Sequence, residues 1–318
     1  MNLEFVDPQL RSALRRMPRM DNRRRLVRWV GRVGPRLRST PPVPGVSIRW
    51  VEAGNLRLRV YAPSASARSA PALPALAWIH GGGLVIGSAY QDDQLCSSTA
   101  ALGVVVVSVE YRLAPEHPYP TAIDDVWDAW GWVQDNAGLL GIDPARVALG
   151  GESAGGGIAA CLAQRLRDTP GAVQPVAQWL FAPMLDDRTA ARRGLDALDH
   201  PVWNNAANRY GWASYLGAAS GAVEVGDYAV AARCADLTGL PPAWLCVGDI
   251  ELFHDEVVTY ADRLREAGVE TTLVVVPGAP HGFENWARRT ALAEELVAEA
   301  QQWLGLQLRR AQRNTFDR

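Results

Sequence analysis

The stretch Val147-Ala148-Leu149-Gly150-Gly151-Glu152-Ser153-Ala154-Gly155 decides the reading of this chain. Val147–Leu149 is a short apolar strand, and a helix is predicted over Ile158–Leu166. Between them lies G-x-S-x-G, the pattern of a nucleophile elbow, in the strand-to-helix context that such an elbow requires. So sharp a turn holds the serine in strained backbone geometry, and its small neighbours let other chain segments pass close by. Ser153 Oγ then stands clear at a helix N-terminus, where the dipole favours a developing anion.

A second motif, His80-Gly81-Gly82-Gly83, follows the predicted strand Ala75–Ile79. Successive glycines let backbone amides point into a cavity. With the amide of Ala154 they make a candidate oxyanion hole, in which Gly82 and Gly83 are the other donors. Three glycines alone are a common loop. Two such motifs in this order, each after a strand, are much rarer by chance. A base and an acid are then required. Among five histidines, His281 follows the strand Leu273–Val276 and a Pro277–Pro280 turn, which gives the chain order serine, acid, histidine. His80 belongs to the glycine loop, His117 to a rigid turn, His200 to an insertion and His254 to a helix start. Asp249, Glu251 and Asp255 all follow the strand Ala243–Val247; one should face His281 while the others cap or pair with the next helix.

Outward from these motifs, Ser47–Val51, Leu56–Tyr61, Val104–Val109 and Ala177–Phe181 also read as strands. Helices are predicted around Ile123–Val133, with Thr121 and Asp124 as caps, at Val257–Leu264 and at Thr290–Leu306. Strands alternate with helices and are apolar throughout, which predicts a mostly parallel sheet covered on both faces. Residues 63–74 and Ser39–Pro44 read as loop and linker. Residues 186–225, with Trp203, Trp212 and Tyr215, interrupt the rhythm and are expected to form a helical insertion over the sheet's carboxyl edge. Those aromatics, with Tyr90, are candidates to line a pocket or simply to pack.

With 318 residues the chain is ample for one large α/β domain. Thirty-two basic residues, all Arg, face 34 acidic ones, a balance that gives no reason to expect a nucleic-acid partner. No run approaches the roughly 20 apolar residues of a membrane span. The N-terminus lacks a signal peptide's apolar stretch, so a cytoplasmic protein is expected. Cys96, Cys161, Cys234 and Cys246 form no CxxC pair and are read as small core residues. Residues 1–40 hold eleven Arg against Glu4, Asp7 and Asp21. They are read as amphipathic helices with a solvated charged face, in preference to an anion- or membrane-binding arm.

The combination of His80-Gly81-Gly82-Gly83, Tyr111-Arg112-Leu113-Ala114-Pro115-Glu116-His117 and Gly151-Glu152-Ser153-Ala154-Gly155-Gly156 resembles the hormone-sensitive-lipase family of α/β-hydrolase carboxylesterases. The resemblance spans most of the chain. It implies that Ser153 is the nucleophile, that His281 is the base, and that Gly82, Gly83 and Ala154 supply the oxyanion amides. His80, Arg112 and Glu116 would hold the loop architecture. Residues 1–45 and 186–225 would form a cap over a catalytic domain of 46–185 and 226–318. Two positions depart from the family pattern. The elbow has Glu152 where Asp is more frequent, and the acid position carries Glu251, with Asp249 two residues earlier. Glu251 is favoured as the acid, with Asp249 the alternative. The implied activity is hydrolysis of short-to-medium acyl esters, with a small-molecule ester as partner and no metal or organic cofactor. A homodimer is compatible with the resemblance. Amide or peptide cleavage on the same triad, and ligand binding on an inactive hydrolase fold, are the rival readings.

Overall fold

Apolar strands without alternation stay out of water only when helices cover both faces of their sheet. The computed structural model, which describes residues 3–18, 21–37, 40–64, 72–217, 220–222 and 224–316, has that architecture. Its strands are β1 (Val46–Ala53), β2 (Leu56–Pro63), β3 (Leu73–Ile79), β4 (Val105–Glu110), β5 (Ile142–Glu152), β6 (Gln178–Phe181), β7 (Ala243–Gly248) and β8 (Thr271–Val276). They form one sheet in the order β1-β2-β4-β3-β5-β6-β7-β8. β1 and β2 form an antiparallel pair and β2 runs antiparallel to β4, while the strands from β4 to β8 are parallel. The mostly parallel α/β fold is as expected.

Because side chains alternate along a strand, the sheet divides the interior into two cores. Ala77, Val107, Leu149, Leu180 and Leu245 face one, with helices α4 (Thr121–Asp135), α5 (Ala137–Leu140), α6 (Ala154–Asp168) and α9 (His254–Glu266) on that side. Trp78, Val106, Ala148, Trp179 and Trp244 face the other, under α1 (Pro8–Leu14), α3 (Asp93–Ala101) and α11 (Ala291–Phe316). Helix α11 runs past the predicted end at Leu306 because Leu308 is still buried in that second core. No side chain caps α4, and its Asp124 instead pairs with Arg165 of α6 at 2.8 Å. The predicted loop 63–74 lies partly outside the described residues, as does Ser39.

Between β6 and β7 come α7 (Asp187–Ala191), a 3-10 turn at Arg193–Ala197, α8 (Asn205–Leu216) and a 3-10 turn at Ala231–Arg233. Asp186 and Asn204 cap α7 and α8 by accepting from Arg188 N and Ala207 N.

The N-terminal arm reverses one expectation. In α2 (Arg25–Leu37), Arg28 is buried, and Arg32 donates to Val85 O at 2.9 Å, Ala114 O at 2.8 Å and Glu116 at 2.7 Å. Leu26, Trp29, Val30 and Leu37 face solvent instead. The guanidinium fork of Arg32 satisfies two carbonyls of loops that no sheet ladder reaches, which turns that face of the helix inward.

Candidate active site

Ser153 sits between β5 and α6 with φ 54° and ψ −120°, a conformation L-residues adopt at a cost of about 1–3 kcal/mol. Three hydrogen bonds hold it there. Ser153 N donates to Phe181 O at 2.8 Å, and Ser153 O accepts from Met184 N at 2.9 Å and Gly157 N at 3.1 Å. Close approach fixes the residues beyond. A Cβ on Gly155 would lie 2.1 Å from Ile79 O, so only glycine lets α6 start against the end of β3.

His281 lies on the loop after β8, and its Nε2 is 2.9 Å from Ser153 Oγ. Its Nδ1 makes a short hydrogen bond to Glu251 Oε2, on the turn after β7. All three residues are buried. The Phe253 and His281 rings meet edge to face with centroids 5.1 Å apart, and Trp286 Nε1 donates to the His281 backbone carbonyl at 2.9 Å, which anchors the loop that carries the imidazole. Of the other two acidic candidates, Asp249 accepts from Gly278 N at 2.7 Å and ties down the loop that carries His281. Asp255 is exposed and pairs with His254. Glu251 is the one that meets the imidazole. Burial pulls the His281 pKa down, but the charge and hydrogen bond of Glu251, with the charge of Glu284, outweigh it and raise the pKa above its ordinary value.

Gly82 and Gly83 have φ of 119° and 58°. The Gly82 carbonyl accepts from Val85 N and Ile86 N. The N–H groups of Gly82 and Gly83 donate to no protein acceptor among the described residues. The N–H of Ala154 belongs to the first turn of α6, where a helix offers no acceptor. A Cβ on Gly83 would lie 2.0 Å from Trp203 Cη2, so the outer edge of the indole packs directly against this loop. His80 stacks on Tyr111 at 4.3 Å, and burial lowers its pKa, which keeps it neutral. Arg112 pairs with Asp125 and Glu116 with Arg32.

Trp212 and Tyr215 line a narrow apolar cleft with Leu84, Ala154, Ile158 and Met184. Tyr90 does not join them; it lies against Trp50 and under the Arg59 guanidinium at 4.1 Å. Cys96, Cys161 and Cys246 are buried as expected, whereas Cys234 is only half-buried. Among the described residues, no cluster of three or more His, Cys, Asp or Glu side chains could hold a metal, and no helix is long and apolar enough to cross a membrane.

The sequence reading missed a group behind the elbow. Asn285 Nδ2 donates to Asp92 at 2.8 Å and to Glu152 at 3.0 Å. Burial, with mutual repulsion, raises the pKa of Glu152, and burial raises that of Asp92. Burial also lifts Glu284 to about 7. Only the position of Glu152 inside the elbow hinted at this group.

A model of the alpha/beta hydrolase fold matches residues 76–285. Carboxylesterase NlhH of Mycobacterium tuberculosis is 34% identical over 279 residues, covering 84% of this chain and 85% of that protein. The ethyl acetate hydrolase of Pseudomonas putida is 34% identical over 277 residues, covering 82% of each. The chain belongs to the hormone-sensitive-lipase-like family of α/β-hydrolases. Among solved structures, a bacterial heroin esterase superposes with a TM-score of 0.89 at 36% identity, over 97% of this chain and 99% of that one. Esterase LipW from Mycobacterium marinum gives 0.83 at 32% identity, over 96% and 97%. Like these family members, the chain is a carboxylic-ester hydrolase.

Proposed function

We propose that Ser153, His281 and Glu251 are the catalytic triad of a serine carboxylesterase. The continuous hydrogen-bonded relay from Ser153 Oγ through His281 to Glu251, ending on a serine in strained geometry, carries this reading. Ser153 Oγ attacks the ester carbonyl as His281 Nε2 takes its proton. Glu251 fixes the imidazole tautomer and stabilises the imidazolium. The oxyanion is held by the amides of Gly82, Gly83 and Ala154. His281 returns the proton to the departing alcohol and leaves an acyl-Ser153. Water, deprotonated by His281, then releases the acid and regenerates the serine.

In this reading, residues 1–45 and 186–225 form a cap on a catalytic domain of 46–185 and 226–318. The narrow cleft beside Ala154 favours short-to-medium acyl chains over long ones. No organic cofactor or metal takes part in these steps. The protein works on small esters in the cytoplasm, and a homodimer fits this reading. Turnover of p-nitrophenyl esters from C2 to C12, with Ser153→Ala alongside, tests the proposal. Rates that peak at short chains and vanish in the variant are expected. Full activity of Ser153→Ala, or a peak at the longest chains, would overturn it.

A further inference from the structure

Helix α2 is inverted relative to an ordinary surface helix, which hides its apolar stripe and solvates its charges. Leu26, Trp29, Val30 and Leu37 are 70%, 60%, 49% and 80% exposed. At 100° per residue, these positions and Val33 fall on one face of the helix. Arg28 and Arg32 occupy the inward face and are consumed by backbone carbonyls. The exposed Arg23, Arg24 and Arg25 stand at the N-terminal end of the stripe and Arg36 beside its far end. Asp21 pairs with Arg23 and Arg24, and Glu110 pairs with Arg36, so a surplus of positive charge stays at the N-terminal end.

A lone apolar side chain on a surface needs no explanation, but an aligned row with a tryptophan and flanking arginines does. This is the chemistry of a helix that lies in the plane of a bilayer interface, with apolar residues among the acyl chains and arginines at anionic headgroups. We infer that α2 docks the protein onto an anionic lipid surface through Leu26, Trp29, Val30 and Leu37. The same helix touches the glycine-rich loop. Gly31 packs on Ile86, whose N–H donates to Gly82 O, and Arg32 holds Val85 O. Docking would therefore set the proposed oxyanion loop beside the membrane, where sparingly soluble esters collect.

Binding needs no turnover, so the test is independent of the triad reading and is run on both the wild type and Ser153→Ala. The probes are sedimented vesicles of phosphatidylcholine alone and of phosphatidylcholine with 30% phosphatidylglycerol. Both proteins should bind the anionic vesicles on the order of tenfold more tightly than the neutral ones, and less tightly as salt rises. The double variant Leu26→Ser, Trp29→Ser should lose at least tenfold in vesicle binding yet keep wild-type turnover of p-nitrophenyl acetate. The milder Trp29→Ser, with the fold checked by near-ultraviolet circular dichroism, guards against misfolding. Equal binding by the variants and the wild type would overturn the inference. So would a wild type that ignores vesicles and instead forms a dimer, by light scattering, that Trp29→Ser dissociates.

Discussion

Replacing Glu251 with Gln tests the proposed site at its least typical residue. The substitution keeps the length and shape of the side chain and removes its charge. His281 Nδ1 then faces an amide that can accept through oxygen or clash through nitrogen. The buried Oε1 of Glu251, which has no partner among the described residues, would become half of an uncharged amide in the same position. Losing a charge-assisted buried hydrogen bond costs roughly 1.5–3 kcal/mol, and disturbing the tautomer adds to that. Together they give a loss in kcat of about 10³-fold or more, equivalent to ~4 kcal/mol of transition-state stabilisation. Glu251→Asp keeps the charge but withdraws it by about one bond length, ~1.5 Å, from a contact that is already direct. The expected loss is about 10- to 100-fold. Asp249→Ala removes only the acceptor for Gly278 N and should cost about 1 kcal/mol of stability with kcat within about threefold. The assay is kcat on p-nitrophenyl acetate from pH 5 to 9 for all four proteins, with folding checked by circular dichroism. In the wild type, activity should fall as His281 is protonated, with a midpoint above 6.5 because its pKa is raised. In Glu251→Gln the midpoint should move to lower pH, since the charge that favours the imidazolium is gone. Collapse of Asp249→Ala with survival of Glu251→Gln would refute the assignment and name Asp249 as the acid.

Gly83→Ala would set a methyl group 2.0 Å from the Trp203 ring at a φ of 58°. It should lower kcat about 10²-fold through displaced oxyanion donors while KM changes little, as steady-state kinetics would show. Glu256 is buried, and burial pushes its pKa up to about 8 from an ordinary 4.5. The folded protein thus keeps a proton that the unfolded chain sheds, and stability should be lost as pH rises from about 4.5 to 8. The slope is roughly 1.4 kcal/mol per pH unit for one such group, so thermal midpoints should fall between pH 6 and 8 and fall less in Glu256→Gln. Equal slopes in the two proteins would count against the assignment. Arg32→Ala strips the donor from Val85 O, Ala114 O and Glu116, and chemical denaturation should register a loss of about 1–3 kcal/mol.

What could be read in the sequence was what depends on local pattern. Val104–Val109 reads as a strand because a run of buried, mostly β-branched residues suits a sheet covered on both faces, and Gly151–Gly155 reads as a turn because little else permits it. The outward face of α2 could not be read. Periodicity reports that a helix has an apolar stripe and a charged stripe, but not which one meets the protein. That choice was made by Val85 O and Ala114 O, carbonyls far away in the chain that need donors and find Arg32. The group of Asp92, Glu152, Glu284 and Asn285 was hidden for a related reason. Its members come from a loop, a strand end and a short helix, α10 (Phe283–Trp286), and only the tertiary structure brings them together.

The same distinction explains why the spacing of acidic residues left Asp249 beside Glu251 as a candidate partner of His281. Ser153 follows β5, Glu251 follows β7 and His281 follows β8, so parallel strands deliver all three to one edge of the sheet. The last step is a close approach of backbones. Gly248 pairs with Val276 at the strand ends, and a Cβ on Gly248 would lie 1.8 Å from Ala279 O. The turn after β7 and the loop after β8 therefore run in contact. At that distance Asp249, at the start of the turn, meets the backbone of the loop at Gly278 rather than the histidine beyond it. Glu251, two residues further along, is level with His281 and meets its ring directly. Which carboxylate meets His281 is thus decided by the separation of two strand ends, a distance that the spacing of acidic residues in the sequence does not encode.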